Sequence, residues 1–342
     1  MDFLKKLEFG NYTLRFGDEV LLDYYDEIVF PSFLEMNHVR KIGDKSEFFF
    51  IDTEAVVLDD SVAPPVIGIK GRLIKNTILT REQVFDGEDI IEDHDELETA
   101  PSSFFLLILN THRLILCKEV SDAPTIQNFQ STSQNFLNQE YEKHITYLYE
   151  SAKEDRKRNK DLPRVTKRSL RAEILPPKLR ISTLTDEQSL EDFVSSFKKI
   201  NNISIKLLPT NQEEIDNDSF WEALDDTGEE MDSNNTTVRF SNPESGLRPA
   251  AVLEQLTSAT KLANSGIKLS GYDDDGDIIK GSNENFVLLS EMDDLSKNTT
   301  EAANESYERF VELVGDGKIT LPQRISQKAT TIINRIYERF AG

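Results

Sequence analysis

The sequence predicts an α+β protein: a mostly antiparallel N-terminal β domain, a long linking helix, and a C-terminal ferredoxin-like α+β domain with closing helices. Three observations predict this class. Short runs of β-forming residues fill the first 122 positions. Near Thr125 the spacing of apolar residues changes to that of a helix, and strand and helix patterns alternate after it. We place the predicted domains at 1–122, 123–162, 163–298 and 299–342.

Short apolar runs separated by Gly, Asp and Pro residues predict antiparallel strands in the N-terminal domain. The runs 104–109 and 114–117 predict a hairpin, because turn-forming residues separate them. Residues 52–54 are expected to form a turn between two further strands. The acidic segment 86–96 is expected to be an exposed loop, since a block of like charges favours solvent.

A long helix is predicted after the N-terminal strands. From Thr125, apolar residues recur at helical spacing as far as Tyr149. Pro163 cannot continue a helix, and it biases Leu162 towards an extended conformation. We therefore place a domain boundary at Leu162 and Pro163.

The C-terminal half alternates helices and strands. We expect helices at 186–200, 218–231, 249–264, 300–314 and 320–340, and strands at 203–208, 237–240, 267–272 and 286–289. Thr185 or Asp186 would cap the first of these helices, and Pro249 suits the start of the third. Two βαβ-like units that feed one sheet predict the ferredoxin-like arrangement.

Composition limits the possible functions. The 342 residues carry a formal net charge of −23, which repels nucleic acid at long range, so any nucleic-acid binding would have to be local. A single cysteine, Cys117, excludes an intramolecular disulfide and suits a reducing compartment. The first residues contain no long apolar stretch, so we expect no secretion signal, and no apolar run is long enough to span a bilayer. We therefore expect a soluble, cytoplasmic protein.

One compact segment has the opposite charge. Residues 153–180, here called the basic island, contain eleven Lys or Arg against four acids. Such a density can neutralise several phosphates of nucleic acid, and we expect double-stranded DNA to contact Arg156, Lys157, Arg158, Lys160, Arg164, Lys167, Arg168 and Arg171. The alternative interpretation is a solvated helix end whose cations favour the helix C-terminus.

A second basic row lies on the last predicted helix. Arg324, Lys328, Arg335 and Arg339 are spaced so that they share one helix face. This row would extend the basic island or pair with acids of a partner subunit.

The acidic turn 273–277 is the strongest candidate for a metal site, and it fails on spacing. With Gly276 at the sixth position of a calcium loop, Gly271 would be first and Ser282 twelfth, so two essential carboxylates are missing. An Asp-Gly turn between strands explains the segment without a metal.

No catalytic, metal or cofactor site is predicted elsewhere. None of the four histidines has a second His or Cys at ligand spacing, and the sequence has no phosphate-binding loop or nucleophile elbow. Cys117 lies in an apolar strand and is expected to be a core residue. Acid pairs such as Asp52 and Glu54 are expected by chance in so acidic a chain.

The C-terminal half resembles RexA, the phage-exclusion protein of lambda prophages, and the wider group that includes KwaB of the Kiwa anti-phage system. Residues 267–279 are similar to a strand, acidic Gly-Asp turn and Ile-Leu pair near the end of the RexA sheet, and 286–289 match its final strand. Residues 101–105 resemble a Pro-Ser-Phe strand entry. The similarity covers about 101–314 and leaves out the N-terminal strands and the basic end of the long helix.

The resemblance implies a cytosolic DNA-binding sensor of phage defence that is oligomeric, acts with a membrane partner protein and has no catalytic residue. Our first hypothesis is therefore a non-enzymatic, homo-oligomeric DNA-binding protein without a small-molecule cofactor. The second is an acidic protein-interaction scaffold or inhibitor that mimics nucleic acid and uses the basic island for self-association. The third is a metal-dependent nuclease using scattered acids, which incubation of plasmid DNA with Mg²⁺ or Mn²⁺ would test.

Overall fold

The computed structural model describes residues 3–34, 38–43, 45–85, 87–208, 223–224, 227–228, 230–231, 233, 236–261, 263–321 and 326–341. Most of the helix predicted at 218–231, and Arg324 of the second basic row, lie outside these residues. The described chain is a mixed α+β protein, as predicted, with one large antiparallel sheet and a second, smaller sheet. None of its described helices is long and apolar enough to cross a membrane.

The secondary structure has the following bounds. The strands are β1 (Lys5–Phe16), β2 (Glu19–Val20), β3 (Arg40–Ile42), β4 (Ser46–Asp59), β5 (Val66–Phe85), β6 (Ile90–Thr99), β7 (Ser102–Ile108), β8 (Arg113–Lys118), β9 (Lys178–Thr183), β10 (Lys199–Leu207), β11 (Thr237–Ser241), β12 (Ser265–Tyr272), β13 (Ile278–Ser282) and β14 (Leu289–Met292). The α-helices are α1 (Phe30–Phe33), α2 (Ile126–Arg158), α3 (Lys167–Glu173), α4 (Glu187–Ser195), α5 (Pro249–Thr260), α6 (Thr299–Gly315) and α7 (Gln327–Ala341). The described residues 223–224, 227–228 and 230, between β10 and β11, are also helical.

The large sheet has the strand order β14-β1-β8-β7-β5-β4-β3, and its pairs are antiparallel. The predicted hairpin is confirmed as β7 and β8. Strands β2 and β9 also pair with β1, and β6 pairs with β5. Because β9 and β14 lie after Pro163 in the chain, the large sheet takes strands from both sides of the predicted boundary.

Two predictions about β4 to β6 were wrong. Residues 52–54 form no turn, because β4 runs through them with a register shift between Ile51 and Glu54 opposite β5. Asp52 has a φ of 52°, so the extra residue is accommodated as a bulge that bends the strand. The acidic segment is also not a loop: most of it is β6, which forms a ribbon with the outer half of β5.

The smaller sheet has the order β11-β10-β12-β13, all antiparallel. Along the chain, β9, α4, β10, β11, α5 and β12 follow the β-α-β-β-α-β order of a ferredoxin-like unit. However, β9 pairs with β1 of the large sheet, so the ferredoxin-like arrangement is not seen among the described residues. The cap of α4 is confirmed as Asp186, whose carboxylate accepts from the Ser189 amide at 3.1 Å.

Strand β7 explains the position of the core. Its residues are buried on both faces, so it appears in the sequence as an unbroken apolar run. Phe105 and Leu107 belong to one core cluster with residues of α2 and α7, whereas Phe104 and Leu106 belong to a second cluster with residues of α6. The large sheet is therefore covered on both faces, and α2 is packed against one of them.

Candidate nucleic-acid interface

Helix α2 carries the first part of the basic island away from the core. It begins at Ile126, where the Thr125 hydroxyl accepts from the Asn128 amide, and its thirty-three residues span about 50 Å. Ile145 is its last buried residue. The final turns therefore project into solvent, and the helix ends at Arg158, before Leu162 and Pro163, as predicted.

Helix α3 packs back against α2 and completes the surface. Thr166 caps it through the Ser169 amide at 3.0 Å, and Leu170 is its buried residue. The Tyr141 hydroxyl of α2 donates to the Ile174 carbonyl at 2.7 Å. The basic island thus consists of a helix end, an exposed connection, a short helix and the start of β9.

Four of the eight predicted DNA-binding residues have partners within the chain. Two are ion-paired: Lys157 with Glu154 at 2.6 Å and Arg171 with Glu142 at 2.7 Å. The pairing raises the pKa of Arg171 and lowers the pKa of the Glu154 carboxyl. Exposed pairs of this kind contribute little to stability because solvent screens them, so phosphate oxygens can replace the carboxylates.

The other two partnered cations make bonds to neutral groups. Lys167 is half-buried and donates to the Thr146 hydroxyl at 2.8 Å, with its ammonium 6.0 Å from the centre of the Tyr149 ring. The Arg156 Nε donates to the Leu162 carbonyl at 3.2 Å. Neither side chain has a carboxylate within ion-pair distance in the described chain, so no paired acid offsets its positive charge.

The remaining four cations, Arg158, Lys160, Arg164 and Arg168, are exposed and form no ion pair or hydrogen bond with the described residues. Each arginine presents a planar fork of donors that matches the oxygens of a phosphate. These four residues lie on three consecutive parts of the island: the end of α2, the connection and α3. The arrangement offers an anion several separated positive contacts.

The acidic surroundings do not cancel this surface at close range. Outside the island the chain sums to −30, yet charges in solvent are screened over about 8 Å at physiological ionic strength. The acids within the island itself, Asp155 and Asp161 among them, reduce the local field but leave it positive. Binding of a polyanion would therefore depend on contact and would weaken steeply as salt is added.

The second basic row does not extend the island. Lys328 pairs with Glu19 at 2.8 Å and with Asp23 at 2.7 Å. Arg335 and Arg339 both pair with Asp26, at 3.3 and 2.6 Å. These described members of the row therefore bind acids of their own chain and hold α7 to the segment after β2.

The acidic turn 273–277 closes the β12–β13 hairpin. The Asp273 carboxylate accepts from the Asp277 amide at 2.8 Å, and Gly276 has a φ of 85°. No group of three or more potential metal ligands is found among the described residues. Cys117 is buried, and burial raises its pKa to about 11, as suits a core thiol.

Sequence reasoning missed a charged network on β5. Lys70 is buried and donates to Glu54 at 3.0 Å and to the Thr299 hydroxyl at 2.9 Å. Arg72 binds Asp52 at 2.8 Å and Glu119 at 2.9 Å. The sequence did carry a sign of this network, since two cations alternate within an apolar strand. Their partners could not be read from it, because they come from β4, from α6 and from Glu119, which follows β8. The acids Asp52 and Glu54, one of the pairs at nuclease-like spacing, are therefore bound to cations.

Comparison with protein-family models and with curated protein sequences finds no match for the chain.

Proposed function

We propose that the protein is a non-enzymatic DNA-binding protein of prokaryotic anti-phage defence that contacts the duplex backbone through the basic island. The observation that carries this proposal is a set of exposed cations that form no ion pair or hydrogen bond in the described chain. They are Arg158, Lys160, Arg164 and Arg168, on a projecting helix end and the segment that follows it. An exposed charge without a local partner is free to meet a phosphate without first breaking a bond. Backbone contacts of this kind do not distinguish sequences.

The number of contacts sets the expected salt dependence. Four phosphate contacts give a slope of about −3.6 for log K against log salt, or a loss of about 100-fold between 50 and 200 mM. If all eight cations of the predicted set bind phosphates, the slope is about −7 and the loss about 10⁴-fold. The measured slope of log K against log salt therefore shows how many cations contact phosphates, and so how many of the four partnered cations exchange their partners for a phosphate.

The role in defence rests on the resemblance of the C-terminal half to RexA and the KwaB group. The residues that carry it form β12, the acidic turn and β13 in the smaller sheet, whereas β14 begins at Leu289, at the end of the matched strand. On this basis we propose a sensor that forms homo-oligomers and acts with a membrane protein partner.

Reversing four cations tests DNA binding. The variant Arg156→Glu, Arg158→Glu, Arg164→Glu and Arg168→Glu is expected to lose a salt-sensitive gel shift with a short duplex, because it removes attraction and adds repulsion at the same place. The control reverses four exposed cations of the smaller-sheet region: Arg239→Glu, Lys261→Glu, Lys268→Glu and Lys280→Glu. Both variants change the net charge equally, so retained binding in the control assigns the loss to the island. Wild-type affinity in the island variant would refute the proposal.

The second candidate function is an acidic protein-interaction scaffold or inhibitor that does not bind nucleic acid. An exposed acidic ribbon with apolar side chains, formed by β5 and β6, favours it. This function predicts no gel shift for wild type at physiological salt and a stable oligomer by light scattering.

A further inference from the structure

The outer half of β5 and strand β6 form a ribbon that leaves the body of the protein. The acidic arm is defined as residues 79–98. Its described residues form strand pairs only with each other, since β4 and β7 meet β5 at or before Thr77. Both strands of the arm are exposed over most of their length. A two-stranded ribbon gains little stability from its own packing, so a surface that covered this one would stabilise it.

Apolar side chains along the arm support the same conclusion. Leu79 faces Leu97 across the ribbon, and Phe85 faces Ile90. Phe85, Ile90 and Leu97 are 65%, 69% and 64% exposed. A surface that covered them would remove apolar area from water at about 25 cal/mol per Å².

The charge of the arm indicates what kind of surface it can bind. Residues 79–98 contain nine acids and one cation, Arg81, which is bound to Asp93 and Asp95. Glu82, Glu92 and Glu98 have no cationic partner among the described residues. Two such arms would repel each other, which disfavours a symmetric arm-to-arm dimer. The partner surface must therefore be basic and must offer some apolar area.

We infer that the acidic arm of one copy docks on the basic island of a second copy. The island has the complementary charge, with eleven cations against four acids, and four of its exposed cations form no ion pair or hydrogen bond with the described residues. It also offers exposed apolar side chains, Leu162 within it and Tyr147 one turn and a half before it. Within one chain, the ion pairs of the arm and those of the island are separate in the described residues, so neither surface satisfies the other.

This contact is head-to-tail, because it joins two different surfaces. After the first contact, one copy still has a free arm and the other a free island. Further copies can therefore bind at both ends until a ring closes or a filament forms. The association does not require nucleic acid. Only one consequence rests on the proposed function: DNA and the arm would compete for the same cations, so assembly would mask the DNA-binding surface.

The experiment uses two full-length variants in sedimentation velocity without nucleic acid. The arm variant is Glu82→Lys, Glu92→Lys and Glu98→Lys, and the island variant is the fourfold Arg→Glu change described above. We expect wild type to assemble in low salt and to dissociate as salt is added. Each variant alone should be monomeric. An equimolar mixture should give a one-to-one dimer and nothing larger, because only one intact arm and one intact island remain.

The mixture also separates loss of contact from loss of folding, because each variant must keep one working surface to form the dimer. The two altered surfaces do not attract each other: the reversed arm has six acids against four cations, and the reversed island has eight acids against seven cations. The inference is wrong if wild type stays monomeric at low salt, if either variant assembles like wild type, or if the mixture stays monomeric. Failure of the proposed function looks different: wild type would assemble in this way and still show no DNA gel shift.

Discussion

Replacing Phe105 with alanine is expected to lower the free energy of unfolding by about 3–5 kcal/mol, as is usual for a large aromatic side chain lost from a core. Phe105 is fully buried on β7, and its ring centre lies 5.2 Å from that of Phe50 and 4.9 Å from that of Phe129. Phe33 is a third neighbour, at 5.8 Å. The side chain therefore joins β4, α1 and α2 to the centre of the sheet. Urea unfolding followed by circular dichroism measures the change.

The matched control is Phe3→Ala. Phe3 is 43% exposed and precedes β1, so the same chemical change is expected to alter the unfolding free energy by less than about 0.5 kcal/mol. A Phe105→Ala variant as stable as this control would mean that α2 is not held to the sheet by the aromatic cluster. Because α2 also carries the basic island, the position of the candidate site depends on this packing.

The parts of the fold that were predicted are those whose residues carry local signals. The apolar stripe and Thr125 predicted the start of α2, Pro163 predicted that it ends nearby, and the apolar run of β7 predicted a buried strand. Each of these signals lies within a few residues of the structure that it produces. The pattern of charge was equally local, so the basic island was found from the sequence.

What could not be predicted depends on partners that are distant in the chain. The bulge at Asp52 exists because β4 must keep register with β5 on both sides of it, and Arg72 of β5 binds the Asp52 carboxylate. The acidic segment was expected to be a loop because its charges favour solvent, yet pairing with β5 leaves those charges exposed in a strand.

The same limit applies within the candidate site. In the sequence, the eight predicted DNA-binding residues are alike, because all are cations of one segment. The structure separates those that bind groups of their own chain from those that form no ion pair or hydrogen bond in the described chain. Arg171 meets Glu142 from an earlier part of α2, a contact that exists only because α3 folds back. Sequence spacing does not show that fold-back, so it could not separate the paired cations from Arg158, Lys160, Arg164 and Arg168. Three of these four cations, Arg158, Arg164 and Arg168, are among those reversed in the charge-reversal experiment.

Lowering the pH from about 7 to about 4 is expected to cost the folded protein about 3 kcal/mol through His112 alone. Burial, together with the neighbouring cation of Arg113, lowers the pKa of His112 to about 4, against about 6.5 for an exposed imidazole. Between these two values the unfolded chain binds a proton at His112 and the folded chain does not. Stability therefore falls as the pH falls through this range, and above about pH 6.5 the residue has no effect of this kind.

The variant His112→Asn tests this assignment. His112 has a φ of 51°, a conformation that asparagine adopts more readily than most residues, and the side chain is buried beside the fully buried Arg113. Unfolding free energies of wild type and variant are measured in urea at about pH 7 and about pH 4.5. Carboxylates elsewhere titrate in both proteins. The stability lost on acidification is therefore compared between wild type and variant, and the difference between the two losses is the contribution of His112. We expect the variant to lose about 2–3 kcal/mol less than wild type on acidification. Parallel losses in the two proteins would show that His112 is protonated without cost in the folded state.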